Sequence, residues 1–283
     1  MDILFENFKE LTNSPKNAEQ LKKLVLQLAV QGKLTAKWRQ ENPDVEPAKV
    51  LLERIQAEKE QMIKQGKIKR AKPLPGISEE EKPFDLPEGW EWCRLTDIAE
   101  IIMGQSPPSE SYNEIKEGLP FYQGKKEFGK MYLEGVSIWC SNPKVISEIN
   151  DILISVRAPV GDVNIAKEPV SIGRGLSIIR LIDKELLFYI FYFLDHFKKI
   201  WITKGSFFDS INKNNVLSVV IPIPPPPEQQ AITKKTTRLM SLCDELEKKA
   251  EEREALHEKV MQAVVKQFTA DNTTTPLCKF LYS

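Results

Sequence analysis

The side chains that most often do chemistry are few in this sequence and poorly spaced for it. His196 and His257 are the two histidines, and both fall within segments of helical apolar periodicity. Cys93, Cys140, Cys243 and Cys278 are scattered with no CxxC pair, so neither a zinc ribbon nor a disulfide frame is indicated. Methylation of an amino group on DNA needs an Asn/Asp-Pro-Pro-aromatic motif and a glycine-rich cofactor loop. Asn142-Pro143-Lys144 lacks both the second proline and the aromatic. Gly173-Arg174-Gly175 falls short of GxGxxG, and no Gly-x-x-x-x-Gly-Lys-Ser/Thr sequence occurs. A PD…(D/E)xK nuclease could be assembled only from Pro43-Asp44 and Glu80-Glu81-Lys82, which lie in loop-like sequence and not on paired strands. The expectation is a chain with no catalytic residues, no metal site and no cofactor of its own.

A different chemistry is offered by polar, turn-rich motifs set between apolar runs. Gly104-Gln105-Ser106-Pro107-Pro108 is one, and Tyr122-Gln123-Gly124-Lys125-Lys126 places an aromatic, an amide and two cations in one turn. Arg157 follows a strand-like run, Arg174 sits between two glycines, and Lys204-Gly205-Ser206 completes the set. Gln, Arg, Lys and Ser on loops are the side chains that reach base edges and phosphates. The same Gly and Pro residues also suffice simply to make turns, and the residues alone leave both readings open. Lys64, Lys67, Lys69, Arg70 and Lys72 form a short basic cluster that reads equally as a solvated helix end or a phosphate-contacting patch.

The elements that must position these loops are legible from composition and pattern. The 283 residues allow one or two domains. A 41% hydrophobic content supplies a core, while 28% charged residues and a mean hydropathy of -0.33 argue for a soluble, cytoplasmic protein. No run approaches the roughly 18 apolar residues of a membrane span, and the N-terminus lacks the apolar core of a signal peptide. Forty basic residues balance forty acidic ones, which argues against a polybasic protein that grips nucleic acid by bulk charge. Local patches remain open.

Four segments follow. Residues 1–85 read as an N-terminal helical segment and linker. Leu21, Leu24, Val25 and Leu28 mark one helix face, with Gly32 as its stop, and a second helix opens at Pro47 and ends at Gly66. Residues 86–227 alternate short apolar runs with Gly, Pro, Asn and Asp turns, as strands of a compact domain do. An apolar helix at 184–201 interrupts them, its stripe of Phe188, Tyr192 and Phe193 facing the core. Residues 228–270 form a long helix whose apolar positions include Leu239, Leu242, Leu246, Leu256 and Val260, a seam that needs another helix to bury it. Residues 271–283 read as a tail. The fold class is α+β: one globular domain flanked by long helices that pack as an antiparallel coiled-coil spacer. The two ends also echo each other, 25–36 against 260–270, sharing Val25/Val260, Gln27/Gln262, Val30/Val265, Thr35/Thr269 and Ala36/Ala270.

Taken in order, LPEGWEWCRLTDIAEIIMGQSPPSESYN, LPFYQGKKEFG, DILISVRAPVGDVNIA, IGRGLSIIRL, KGSFFDSI and VIPIPPPPEQQAI resemble the target recognition domain of type I restriction–modification specificity subunits. The long helix resembles that family's spacer helix, and residues 24–61 resemble the segment leading into a recognition domain. The resemblance implies a non-catalytic reader of double-stranded DNA. Its domain takes one half of a split target, and its helices set the spacing and dock the modification (adenine methyltransferase) subunits. The restriction subunit joins through the complex, and S-adenosylmethionine, ATP and Mg belong to the partner subunits. Residues carried over as near DNA are Gln105, Ser106, Tyr122, Gln123, Lys125, Lys126, Arg157, Arg174, Lys204 and Ser206. The expected helix interface comprises Leu21, Leu24, Leu28, Leu242, Leu246, Leu256 and Val260. Family members usually carry two recognition domains, whereas this sequence holds one. It is therefore expected to be a half-size subunit that homodimerises to read a palindromic bipartite site. The alternatives are one half cut from a longer specificity subunit, or a stand-alone nuclease or methyltransferase.

Overall fold

The computed structural model describes residues 15–197 and 211–272, in a mixed helical and sheet fold. The chain divides into two compact units, one spanning Leu26–Thr236 and the other made of residues up to Val25 together with those from Thr237 on. The division falls within the first helix and within the last. Side-chain ties described below hold the N-terminal helices and linker to the sheets.

Three helices come first: α1 (Pro15–Val30), α2 (Ala36–Glu41) and α3 (Ala48–Lys64). Gly32 at φ +67 closes α1, and a side chain there would collide with Arg39, Pro87 and Trp90. Pro47 caps α3, which turns Leu51 and Ile55 inward. Lys59 lies on the same buried face.

The sheets follow, with β1 (Glu91–Arg94) paired to β10 (Val220–Ile223) as a two-stranded ribbon. The first four-stranded sheet has the order β2 (Ala99–Met103), β9 (Leu176–Leu181), β6 (Ile152–Ser155), β7 (Val163–Ile165), all antiparallel. Its central strands, ILIS and LSIIRL, are buried almost throughout, which is why they read as continuous apolar runs without alternation. The second sheet runs β3 (Tyr112–Asn113), β5 (Trp139–Cys140), β4 (Leu119–Tyr122), β8 (Ser171–Ile172), with β4 and β8 parallel. One cluster joins the two sheets: Tyr122 and Ile172 from the second pack with Leu153, Leu176 and Ile178 from the first. The apolar helix is shorter than its sequence pattern among the described residues, α5 (Leu187–His196), with the single turn α4 (Leu95–Ile98) lying before it between β1 and β2. Tyr192 and Phe193 are buried in α5, while Phe188 is 39% exposed. A short α6 (Lys213–Leu217) precedes β10.

The last element, α7 (Pro226–Asn272), begins two residues before its expected start. Pro226 and Pro227 occupy its first turn, where a missing N–H costs nothing. Along it Ile232, Thr236, Cys243 and Ala250 are buried and Leu239 and Leu246 half-buried, a 4-3-4-3-4 spacing. The stripe thus keeps Leu239 and Leu246 of the sequence pattern and fills its other positions with smaller residues such as Thr236, Cys243 and Ala250. Leu242 is 42% exposed. On α1 the corresponding stripe is Ala18, Lys22, Val25 and Ala29, so Leu21, Leu24 and Leu28 flank it, half-buried. In the unit formed by the two chain ends, Lys22 Nζ lies 2.6 Å from Asp244 and 2.5 Å from Glu247. Burial lowers the Lys22 pKa, but its hydrogen bonds to the two carboxylates outweigh that and hold it above its ordinary value. From residue 251 to 268 every α7 residue is exposed, Leu256 and Val260 included.

Candidate nucleic-acid interface

Four loops meet at one end of the first sheet because of how its strands end. β2 and β6 both finish beside the start of β9, and β4 and β8 run parallel, so the segments after β2, β4, β6 and β8 emerge together. The hub is Gly173-Arg174-Gly175. Its backbone takes a bond from each neighbour or gives one: Gly173 N–H donates to Tyr122 O at 2.9 Å, and Val156 N–H donates to Gly175 O at 2.9 Å. Gly104 N–H donates to Leu176 O at 3.0 Å. The glycines are required sterically. A Cβ at Gly104 would run into the carbonyl of Gly173, and one at Gly175 into the carbonyl of Gln123.

This arrangement gathers most of the residues singled out from the sequence. Gln105, Gln123, Lys126, Arg157 and Arg174 lie on the four loops, and all five are exposed. Arg174 Nε donates to Ser106 Oγ at 3.2 Å, tying the hub to the loop after β2. Lys125 pairs with Asp162 at 2.5 Å, tying the loop after β4 to the one after β6. Lys204 and Ser206 lie outside the described residues.

Tyr122 departs from expectation. It ends strand β4 and does not begin the turn, its ring is 4% exposed, and it belongs to the core cluster between the sheets. Burial pushes its phenol pKa up. A buried ring offers nothing to a ligand here, so Tyr122 supports the loop that follows it.

Several further residues support the loops through ties that the sequence does not specify. Tyr112 stacks on Phe121 with ring centroids 4.8 Å apart and donates its hydroxyl to Pro107 O at 3.1 Å, bracing the loop after β2. Ser155 Oγ accepts from Asp162 N–H at 2.9 Å and donates to Pro159 O at 3.0 Å, closing the turn that carries Arg157. Asp151, fully buried, holds Arg180 through hydrogen bonds of 3.1 and 2.7 Å that lock β6 against β9. Each is a side-chain tie whose partner no repeating spacing can reveal.

The N-terminal segment is fastened by comparable ties. Buried Glu228 accepts from Thr35 Oγ1 at 2.6 Å, Arg39 Nη2 at 2.8 Å and Trp90 Nε1 at 2.8 Å. Lys59 donates to the carbonyls of Thr96 and Ala99, and burial lowers its pKa. Arg94 reaches the Pro75 carbonyl and both oxygens of Glu81. Of the basic cluster, Arg70 is engaged by Glu60 at 2.6 Å.

The loop end offers hydrogen-bonding amides and cations, with Asp162 engaged by Lys125. Such side chains can meet base edges and phosphates. Among the described residues no group of three His, Cys, Asp or Glu could hold a metal ion. No described helix is long and apolar enough to cross a membrane.

Comparison with known proteins points the same way. The family described as type I restriction modification DNA specificity domain matches residues 87–255. A Methanocaldococcus jannaschii protein assigned as the type I restriction enzyme MjaX specificity subunit is 43% identical over 187 residues, covering 64% of this chain and 44% of that protein. The Escherichia coli type I restriction enzyme EcoAI specificity subunit is 32% identical over 265 residues, 85% of this chain and 43% of its own length. The chain therefore spans less than half the length of these relatives. Among solved structures, the HsdS subunit from Thermoanaerobacter tengcongensis superposes with a TM-score of 0.56 at 35% identity, covering 77% of this chain and 55% of that one. A chain from a structure of type I R-M complex assembly and conformational transition gives 0.61 at 36% identity, over 77% of this chain and 56% of its own.

Proposed function

Since the chain belongs to the type I restriction modification DNA specificity family, we propose that it reads one half of a split double-stranded DNA target for a type I restriction–modification complex. The observation that carries this is the convergence of four polar loops on Gly173-Arg174-Gly175. There, Gln105, Gln123, Lys126, Arg157 and Arg174 stand on a braced backbone at the end of the sheet. Phosphate contacts position such a surface and base-edge contacts give it sequence. The chain contributes no bond-breaking step. Methylation and cleavage, with S-adenosylmethionine, ATP and Mg, fall to the modification and restriction subunits that it recruits.

The long helix α7 is the spacer and the mating surface. Two observations favour pairing of two copies: the echo between residues 25–36 and 260–270, and the apolar stripe from Leu256 to Phe268 that the single chain leaves exposed. A two-fold pair of recognition domains reads a palindromic bipartite site. The test is a gel shift with the full chain and its modification subunit on a randomised duplex pool at fixed salt. Recovery of a bipartite motif is expected; no retention of DNA by the complex would overturn the reading. The rival reading, a self-contained nuclease or methyltransferase, requires the chain alone to cut or methylate duplex DNA when cofactors are supplied.

A further inference from the structure

Of the polar side chains at the loop end, Arg174 is the one held in aim. Its backbone is fixed on both sides by the glycine packing of the hub, and its Nε is engaged by Ser106 Oγ at 3.2 Å. The two terminal nitrogens, Nη1 and Nη2, have no partner among the described residues and belong to an exposed side chain. An arginine tied at Nε presents its remaining N–H groups as a planar fork, which fits two acceptors side by side.

We propose that Arg174 reads a guanine of the DNA target through O6 and N7, with Ser106 as the positioning residue that aims its fork. This deepens the reading of the loop end as a DNA interface and rests on it. Guanine presents two adjacent major-groove acceptors that a guanidinium meets in bidentate fashion. Phosphate also takes a bidentate arginine, but the surroundings favour the base. Two neutral amides border the hub: Gln105 adjoins Ser106 in the chain, and the side-chain oxygen of Gln123 lies beside Gly173. Amides match base edges and carry no charge to attract phosphate. The cations Arg157 and Lys126 stand on the loops after β6 and β4 and are suited to the backbone. Fixing the fork before binding also removes rotamer entropy that an untethered arginine would lose on contact.

The experiment is motif selection from a randomised duplex library, using the full chain with its modification subunit as wild type, Arg174→Lys, Ser106→Ala and Ser106→Thr. None of these substitutions falls in the core, and unchanged thermal melting would verify the fold of each. Wild type should recover a guanine at one position of each half-site. Arg174→Lys keeps the charge but loses the fork, so preference at that position alone should fall roughly 5- to 150-fold, the range for one bidentate base contact. Replacing that guanine by 7-deazaguanine should weaken wild type more than Arg174→Lys, which has no fork to lose. Ser106→Ala should reduce the sensitivity to 7-deazaguanine, and Ser106→Thr should restore it. Unchanged motifs with an even loss of affinity across all sequences, and indifference to 7-deazaguanine, would overturn the guanine contact in favour of a phosphate contact. A wild-type complex that recovers no motif at all would instead overturn the underlying DNA-reading assignment.

Discussion

Trp90 donates its indole N–H to Glu228 at 2.8 Å, joining the residue before the first strand to the first turn of the long helix. Glu228 is fully buried, and its other partners are Thr35 and Arg39 from the N-terminal segment. One carboxylate thus fastens three stretches of chain at a helix N-terminus, where negative charge is also favoured by the helix dipole. Removing one member of a buried ion pair strands the other, so Glu228→Ala should cost about 3–5 kcal/mol. Trp90→Phe, losing one bond to a charged group, should cost about 1.5–3 kcal/mol. Urea unfolding measures both. A Glu228→Ala variant as stable as wild type would show that the segments are held by apolar packing instead.

The glycine hub predicts a sharp contrast between neighbours. Gly175→Ala forces a methyl into the Gln123 carbonyl, a backbone atom that cannot swing aside, and overpacking of this kind costs about 1–3 kcal/mol. Gly124 lies one residue beyond Gln123, has open space around it and an extended backbone. Gly124→Ala should therefore be tolerated. Thermal melts of the two variants check the pair, and DNA binding should be lost with Gly175→Ala because the loops separate.

The contrast between what pattern can and cannot disclose is plain at these positions. Leu51, Ile55, the strands ILIS and LSIIRL, and the stops at Gly32 and Gly66 are legible because apolar periodicity and φ > 0 leave direct marks in a sequence. Gln105, Gln123, Arg157 and Arg174 can be chosen as polar loop residues, but nothing local says that they share one sheet end; the parallel β4–β8 pairing does that. Tyr122 misleads because a motif that looks like a turn begins as a strand, and its aromatic points into the core. On α7 a heptad count finds Leu239 and Leu246 but passes over Cys243 and Ala250, because large leucines dominate the count whereas close helix packing selects small residues. Partners separated by long stretches, Glu228 with Arg39 or Lys125 with Asp162, carry no periodic trace.

Arg157 should behave differently from Arg174. It is exposed on the turn after β6 with no hydrogen bond or ion pair among the described residues, a position suited to phosphate. Arg157→Ala should weaken binding evenly across matched and mismatched duplexes and lower the slope of log K against log salt by about 1. A salt series on two duplexes measures it. Specificity lost with the salt slope unchanged would place Arg157 on a base.

Acid should release the linker before the sheets. Glu81 accepts from Arg94 at 2.9 and 3.1 Å and from Ser78 N–H at 3.0 Å. The Arg94 hydrogen bonds, then that of Ser78, hold its carboxyl at about 2 against an ordinary 4.5. A depressed folded value means that the released linker binds more protons, so the latch is fully stabilising above 4.5 and is lost as pH falls toward about 2. Amide exchange across residues 75–85, corrected for its intrinsic pH dependence, should rise through that window. Glu81→Gln should show raised exchange already at neutral pH and no further pH dependence there. A wild-type profile flat to pH 2 would mean that Arg94 holds the linker through the Pro75 carbonyl alone.

The outer half of α7 yields the prediction on assembly. Leu256, Val260, Met261, Val264, Val265 and Phe268 fall on one face at i, i+4, i+5, i+8, i+9 and i+12, and all are exposed, Phe268 by 70%. A contiguous apolar face of this kind is suited to burial against a partner. If two copies mate here by a two-fold axis, each substitution enters the interface twice and its effect is doubled. Leu256→Glu with Val260→Glu would then place four carboxylates in one seam and convert a dimer to a monomer at micromolar concentration in sedimentation velocity. The melting of the sheet domain should be untouched, because no residue from 251 to 268 is buried within the single chain. Cys243→Ser provides the control. It alters the seam that a single chain already buries, so it should lower stability while leaving the sedimentation coefficient of the dimer unchanged. A wild-type chain that sediments as a monomer, with and without DNA, would overturn pairing between copies.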